Sequence, residues 1–334
     1  MNKKVLQTLE YDKIKSQLRG FLSTPVGRLE ADKLHPETDV NIINYWLLET
    51  ADGVLIDRLK GGIPLAKLAD ITPHLKRLNI SASLSATELS EIGIVLRNTT
   101  AIANFFKQMA DEIIGESLKV LPEQAEKLAI LSDVTRQIEI AIDATGRIND
   151  EASFDLKSIR GKITGNEHAV KSKMQSYTRG KSAQYLSDPI ITIRAERYVL
   201  PVKAEYRNQF GGVVHDQSQT GQTLYIEPQA VVELNNKLSE LRVKEQAEEQ
   251  HVLQILSSAL EPYTNEIAQN VNILGHFDFV NAKARLAAQL DAMQPVVNIE
   301  NHVDLQQAWH PLLDKKIAVV NDIALGDQYK SIII

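Results

Sequence analysis

The chain has 334 residues, 43% of them hydrophobic and 24% charged, which places it among ordinary soluble globular sequences of two or three domains. It contains no cysteine, so disulfides and thiolate metal sites are excluded, in keeping with a cytoplasmic location. A net charge of -6 excludes a uniform nucleic-acid coat and leaves only a local basic stripe for that role.

Met1-Asn2-Lys3-Lys4 is basic, but Gln7 and Glu10 break any apolar run behind it, and no signal peptide is read. No stretch approaches the roughly 18 apolar residues of a spanning helix, so no membrane partner is expected. Residues 1–147 carry apolar positions at helical spacing, as in Leu6, Leu9, Tyr11, Ile14 and Leu18, and again in Leu89, Ile92, Val95 and Ile102. Gly61-Gly62 and Ser83-Leu84-Ser85 punctuate them as turns.

Near Ser153 the texture changes. Leu156, Ile159, Ile163, Val170, Met174 and Tyr177 form one seam of a long helix, with Ser153 as N-cap and Asp155 in the first turn. Gly161 and Gly165 weaken it by roughly 1 kcal/mol each relative to Ala. A second long helix begins near Pro228 and runs uninterrupted by Pro or Gly to Glu261. Its seam is Val231, Leu234, Leu238 and Leu241, restored at Val252 and Leu256 after a polar stretch.

Between these helices lie four strand-like runs, at Ile190–Arg194, Tyr198–Lys203, Val213–His215 and Thr223–Ile226, with Gly211-Gly212 and Thr220-Gly221 as turns. A small sheet inserted between two long helices is therefore expected at their tip. Helical texture returns to Gln294. Pro295 then opens three β-like runs: Val296–Ile299, Ile317–Val320 and Ser331–Ile334. The last is all apolar after Ser331 and reads as a buried strand that continues into a further element.

Three stretches together resemble the MutS proteins: His310-Pro311-Leu312-Leu313-Asp314, Val319 to Gly326, and Tyr329 to Ile334. Tyr198 to Arg207, Val214 to Ser218, Gly221 to Pro228 and Glu233 to Asn236 are similar to the second bacterial MutS paralogue in particular. So is the opening Leu9 to Ile14. Trp309 and Val320 depart from it, standing where Arg and Pro are usual.

The resemblance implies a mainly α fold with a small β insertion. Residues 1–147 and 263–294 would form a helical core, 148–186 and 229–262 two lever helices, and 187–228 a β clamp. Residues 295–334 would begin a P-loop ATPase domain, with the phosphate loop lying beyond Ile334. It also implies ATP and Mg2+ as cofactors of the full-length protein, homodimers through its ATPase domains, and a C-terminal Smr nuclease domain. No cofactor and no catalysis are expected of these 334 residues. Gly180-Lys181-Ser182 resembles the tail of a Walker A loop, but the glycine required five positions earlier is Gln175.

Carried over from the family, Val319 and Asn321 would lie beside an adenine; read alone, Asn321-Asp322 is a turn before a strand. Lys157, Arg160, Lys162, Lys171, Lys173, Arg179 and Lys181 face only three acidic residues over the same stretch, an electrostatic footprint suited to a phosphate backbone. Arg194, Arg197, Lys203 and Arg207 would extend it into the clamp, with Tyr198, Tyr206 and Tyr225 stacking or packing. His215-Asp216 is read as a strand-end pair stabilising a turn, and Glu248-x-x-His251 as surface. Two ligands fit these cations: branched DNA, with suppression of homologous recombination, or ribosomal RNA of collided ribosomes, with their splitting and rescue.

Overall fold

A computed structural model describes residues 3–112, 117–314, 316–326 and 331. The fold is mainly α with a small β insertion. Helices α1 (Lys3–Thr8), α2 (Tyr11–Arg19), α3 (Pro25–Lys33), α4 (Val40–Lys60), α5 (Thr72–Leu78), α6 (Ala86–Glu112), α7 (Leu121–Glu126) and α8 (Ser132–Ala141) come first. Then follow α9 (Phe154–Arg179), β1 (Thr192–Arg194), β2 (Arg197–Lys203), α10 (Arg207–Phe210), β3 (Val213–Gln217) and β4 (Thr223–Glu227). Helices α11 (Val232–Leu260) and α12 (Thr264–Leu290) and strands β5 (Val303–Ala308) and β6 (Asn321–Leu325) complete the order. No helix of the described residues is long and apolar enough to cross a membrane.

The chain forms two compact units. One comprises residues 1–82, 88–136 and 259–334; the other comprises 83–87 and 137–258.

In the first unit α12 packs against α2, α3, α4 and α5, which buries both apolar residues such as Ile267, Leu274 and Phe277 and polar ones such as Asn270, Asp278 and Asn281. Its buried polar side chains each take hold of a loop. The Asp278 carboxylate accepts from the backbone N–H and hydroxyl of both Ser23 and Thr24, fixing the entry to α3. Asn281 bonds both the N–H and the C=O of Ile63, and Asn270 does the same for Ala129. Each of these burials satisfies backbone groups that would otherwise be left unpaired. Asp52 on α4 likewise accepts from the N–H groups of Lys119, Val120 and Leu121, satisfying donors at the start of α7.

In the second unit Ser153 caps α9, its hydroxyl accepting from Leu156 N at 3.0 Å. The β1–β4 sheet is antiparallel throughout, in the order β1-β2-β4-β3. A two-residue loop joins β1 to β2, with Ala195 and Glu196 both at positive φ, the geometry of a tight hairpin. Val170 and Met174 of α9 share a core with Leu200 and Val202 of β2, Ile226 of β4 and Leu238 of α11. The sheet and the two long helices are thus one packed body. Gly212, at φ +100°, is required where β3 starts, because a Cβ there would lie 2.1 Å from the Glu227 carbonyl oxygen.

The C-terminal strands fall elsewhere than the apolar runs suggest. Val296–Ile299 and Ile317–Val320 are not strands, and Val296, Ile299, Ile317 and Val319 are exposed. Pairing occurs instead between β5 and β6, where Val303 faces Leu325 and Leu305 faces Ile323 across the ladder. Apolar partners on the opposite strand decide the register, not the length of the apolar run. Ser331 is exposed and outside any strand, and Ile332 to Ile334 lie outside the described residues.

Candidate nucleic-acid interface

The basic residues of the second unit divide into two groups by what surrounds them. Arg160 belongs to the first. Its guanidinium reaches Asp150 at 2.7 Å, Glu245 at 2.8 Å, Glu249 at 2.7 Å and the Ile148 carbonyl at 2.8 Å. Burial works to lower its pKa, but the three carboxylates outweigh that and raise it. It ties α9 to α11 and is not available to a ligand in this arrangement. Arg197 is similar: it donates to Glu227 at 2.9 Å and to Asn236 at 2.7 Å. Lys157 makes an exposed ion pair with Glu151 at 3.3 Å.

The second group is held more loosely, and part of it has no carboxylate partner among the described residues. Lys173 and Arg179 on α9, and Lys181 just beyond it, are exposed and have no carboxylate partner among the described residues. Lys171 is also exposed, its ammonium 5.7 Å from the centre of the Tyr198 ring. Arg207, at the start of α10, is exposed as well. Lys203 donates to the Gln184 carbonyl at 3.1 Å and lies over Tyr206 at 5.9 Å. Arg194 stacks its guanidinium 4.3 Å over Tyr225 and meets Asp216 at 3.3 Å.

The three tyrosines differ. Tyr198 is buried in the core, whereas Tyr206 and Tyr225 are half-buried; Tyr206 packs on Tyr185 with ring centres 4.9 Å apart. Lys171, Gln175, Thr192 and Ile193 edge an open groove of about 580 Å³.

Behind these side chains lies a polar cluster that spacing alone does not reveal. Glu227, at the end of β4, is 1% exposed and accepts from Arg197, from His215 Nε2 at 2.6 Å and from Asn235 Nδ2 at 2.7 Å. Asn235 also donates to the Tyr198 carbonyl at 3.1 Å, so α11 is clamped to β2 and β4 together. His215 is thus not paired with Asp216, as the sequence suggests. The β3–β4 register slips between Val214 and Asp216, and this bulge turns His215 towards Glu227 while Asp216 goes to Arg194. The signal was present in the clustering of His215, Glu227 and Asn235 within the motif-rich stretch, but not their shared burial. Glu248 accepts from the Ser153 hydroxyl at 2.7 Å, which reinforces the start of α9.

In the first unit, Val319 is exposed and Asn321 opens β6, its amide donating to the Val319 carbonyl at 3.4 Å. Asn321-Asp322, expected as a turn before a strand, are instead the first two residues of β6.

No family model matches the chain. Individual proteins do, over its full length. It is 79% identical to Endonuclease MutS2 of Leuconostoc mesenteroides, 77% to Endonuclease MutS2 of Leuconostoc citreum and 50% to Endonuclease MutS2 of Lactiplantibacillus plantarum. In each case the chain spans 42% of the relative's length. At such identity across all of its residues, the chain belongs to the MutS2 family.

Proposed function

We propose that the second unit binds nucleic acid through its free cations, and that the natural ligand is branched DNA. In this reading α9 and α11 act as levers and β1–β4 as a clamp within a MutS-like ATPase that suppresses homologous recombination. The observation that carries it is the contrast among the basic residues. Arg160 and Arg197 are held by carboxylates, whereas Lys171, Lys173, Arg179 and Lys181 stand exposed with no acidic partner among the described residues, in a chain of net charge -6. Charges so displayed attract phosphates and release counterions without reading base sequence. The relatives' name, Endonuclease MutS2, accords with a nucleic-acid substrate for the longer proteins.

The same reading assigns ATP and Mg2+ to a P-loop domain of the full-length protein, with Val319 and Asn321 on its adenine side. It also assigns homodimerisation to that domain, an Smr nuclease to the C-terminal region, and a cytoplasmic location to the whole.

The test is competition between a four-way DNA junction and a linear duplex of equal phosphate count, at a fixed salt near physiological, with the full-length protein. A preference for the junction that disappears when Lys171, Lys173, Arg179 and Lys181 are changed to Gln supports the proposal. Equal and weak binding to both, falling steeply with salt, overturns it and favours ribosomal RNA of collided ribosomes as the ligand.

A further inference from the structure

A cavity of about 350 Å³ opens in the first unit between α3, α4 and α12. Its walls are apolar, built by Leu34, Ile43, Trp46, Leu47 and Phe279. Its polar lining is unusual. Glu49 is only 1% exposed; its Oε1 accepts from Gln124 at 2.6 Å and lies 2.8 Å from His276 Nε2, but its Oε2 has no hydrogen-bond partner. Lys283 sits 3.9 Å from that same oxygen, beyond hydrogen-bond reach, and its ammonium lies 4.9 Å from the centre of the Phe279 ring. His276 is fully engaged, with Glu30 on one nitrogen and Glu49 on the other.

Among the described residues this acceptor has no hydrogen-bond donor and this nearly buried ammonium no hydrogen-bond acceptor, and their mutual attraction at 3.9 Å offsets only part of that cost. Here they stand side by side on the lining of one apolar cavity. The pair restricts what fits. An anionic group would meet Glu49, and a cationic one would meet Lys283. What satisfies both is a neutral edge carrying a donor next to an acceptor. The aromatic and aliphatic walls suit the faces of a flat ring, and the volume lies at the lower end of the range for small-molecule sites. Lys33 and His35, both exposed at the rim, accommodate a polar substituent pointing outward.

We propose that this cavity binds a planar heteroaromatic lactam, a ring with N–H beside C=O as in guanine, hypoxanthine or uracil. The ring N–H donates to Glu49 Oε2, and Lys283 Nζ donates to the carbonyl oxygen.

The test titrates the 334-residue chain with guanosine and inosine, using adenosine as the contrast because its ring lacks the lactam edge. Binding is read by calorimetry. Saturable binding of guanosine and inosine, at least tenfold tighter than adenosine, is expected. Lys283→Met is expected to weaken guanosine at least tenfold. Because that change also touches the buried charges, Ile43→Trp is the companion variant: it fills the cavity from its half-buried wall, leaves Glu49 and Lys283 in place, and should abolish binding while the thermal melt is retained. No saturable guanosine binding, equal binding of adenosine, or guanosine binding unchanged by Ile43→Trp would each overturn the proposal.

Discussion

His215 Nε2 lies 2.6 Å from an oxygen of Glu227, a carboxylate that is 1% exposed and also held by Arg197 and Asn235. One anion therefore joins β2, β3, β4 and α11. Removing it costs the guanidinium, the imidazole and the amide one acceptor each, and breaking a buried charged pair costs roughly 3–5 kcal/mol. Glu227→Ala is expected to destabilise the second unit by that order, seen as faster amide hydrogen exchange at Leu200, Val202 and Ile226. Unchanged exchange at those three positions would mean that the apolar core alone holds the sheet.

Arg160 and Lys173 lie on the same helix but should behave oppositely. Arg160 donates to three carboxylates, two of them on α11, whereas Lys173 has none among the described residues. Arg160→Ala is expected to lower stability by about 1–3 kcal/mol, since hydrogen bonds to charged groups are lost on both sides. Its effect on the salt dependence of DNA binding should be nil. Lys173→Ala should leave the denaturation midpoint unmoved and reduce the slope of log K against log salt by about one contact. A reduced slope for Arg160→Ala would show that the residue leaves its carboxylates to meet phosphate.

The two long helices and the sheet between them were legible because each is written in local chemistry. Ser153 with Asp155 marks the start of α9, Pro228 precedes α11, and Gly211-Gly212 and Thr220-Gly221 flank the β strands. The free cations were legible as a charge imbalance. Their division into held and free was not, because the partners of Arg160 lie 85 and 89 positions away. Burial of Glu227 was likewise hidden: a carboxylate before Pro228 looks like a strand-end surface residue until the fold closes over it. The C-terminal hairpin was misplaced for a related reason, since Asp304 and Gln306 obscure β5 while the exposed run Ile317–Val320 imitates a strand. The Glu49, His276 and Lys283 cluster joins helices distant in sequence and has no motif at all.

Gly275 shows how closely α12 approaches α3. A Cβ at this position would lie 2.4 Å from Val26 Cγ1 and 2.5 Å from Val26 Cβ. Gly275→Ala is therefore expected to lower stability despite the better helix propensity of alanine, by about 1–3 kcal/mol of overpacking. Thermal unfolding of the first unit reads the effect. Adding Val26→Ala removes the Cγ1 clash but not the Cβ one, so the double variant should recover only part of the loss. A Gly275→Ala chain more stable than the parent would mean that the helices separate freely at this crossing.

His276 gives the first unit a pH dependence of definite sign. Burial works against its charged form, but Glu30 at 2.6 Å and Glu49 at 2.8 Å outweigh that and raise its pKa to about 9. The other charged group facing it is Lys283, whose pKa burial lowers, while Glu49 is held below the usual carboxylate range: burial raises it, and His276, Lys283 and Gln124 together prevail. Below the ordinary histidine value near 6.5, folded and unfolded chains both carry the proton and the stabilisation is complete. Above it the unfolded chain loses the proton first, so stability declines with rising pH until about 9, by at most about 3 kcal/mol. Urea unfolding of the first unit at pH 6, 7.5 and 9 should show this decline, and His276→Gln should flatten it. The imidazole resonances should titrate with a midpoint near 9. A midpoint near 6.5 would mean that neither carboxylate holds the ring in solution.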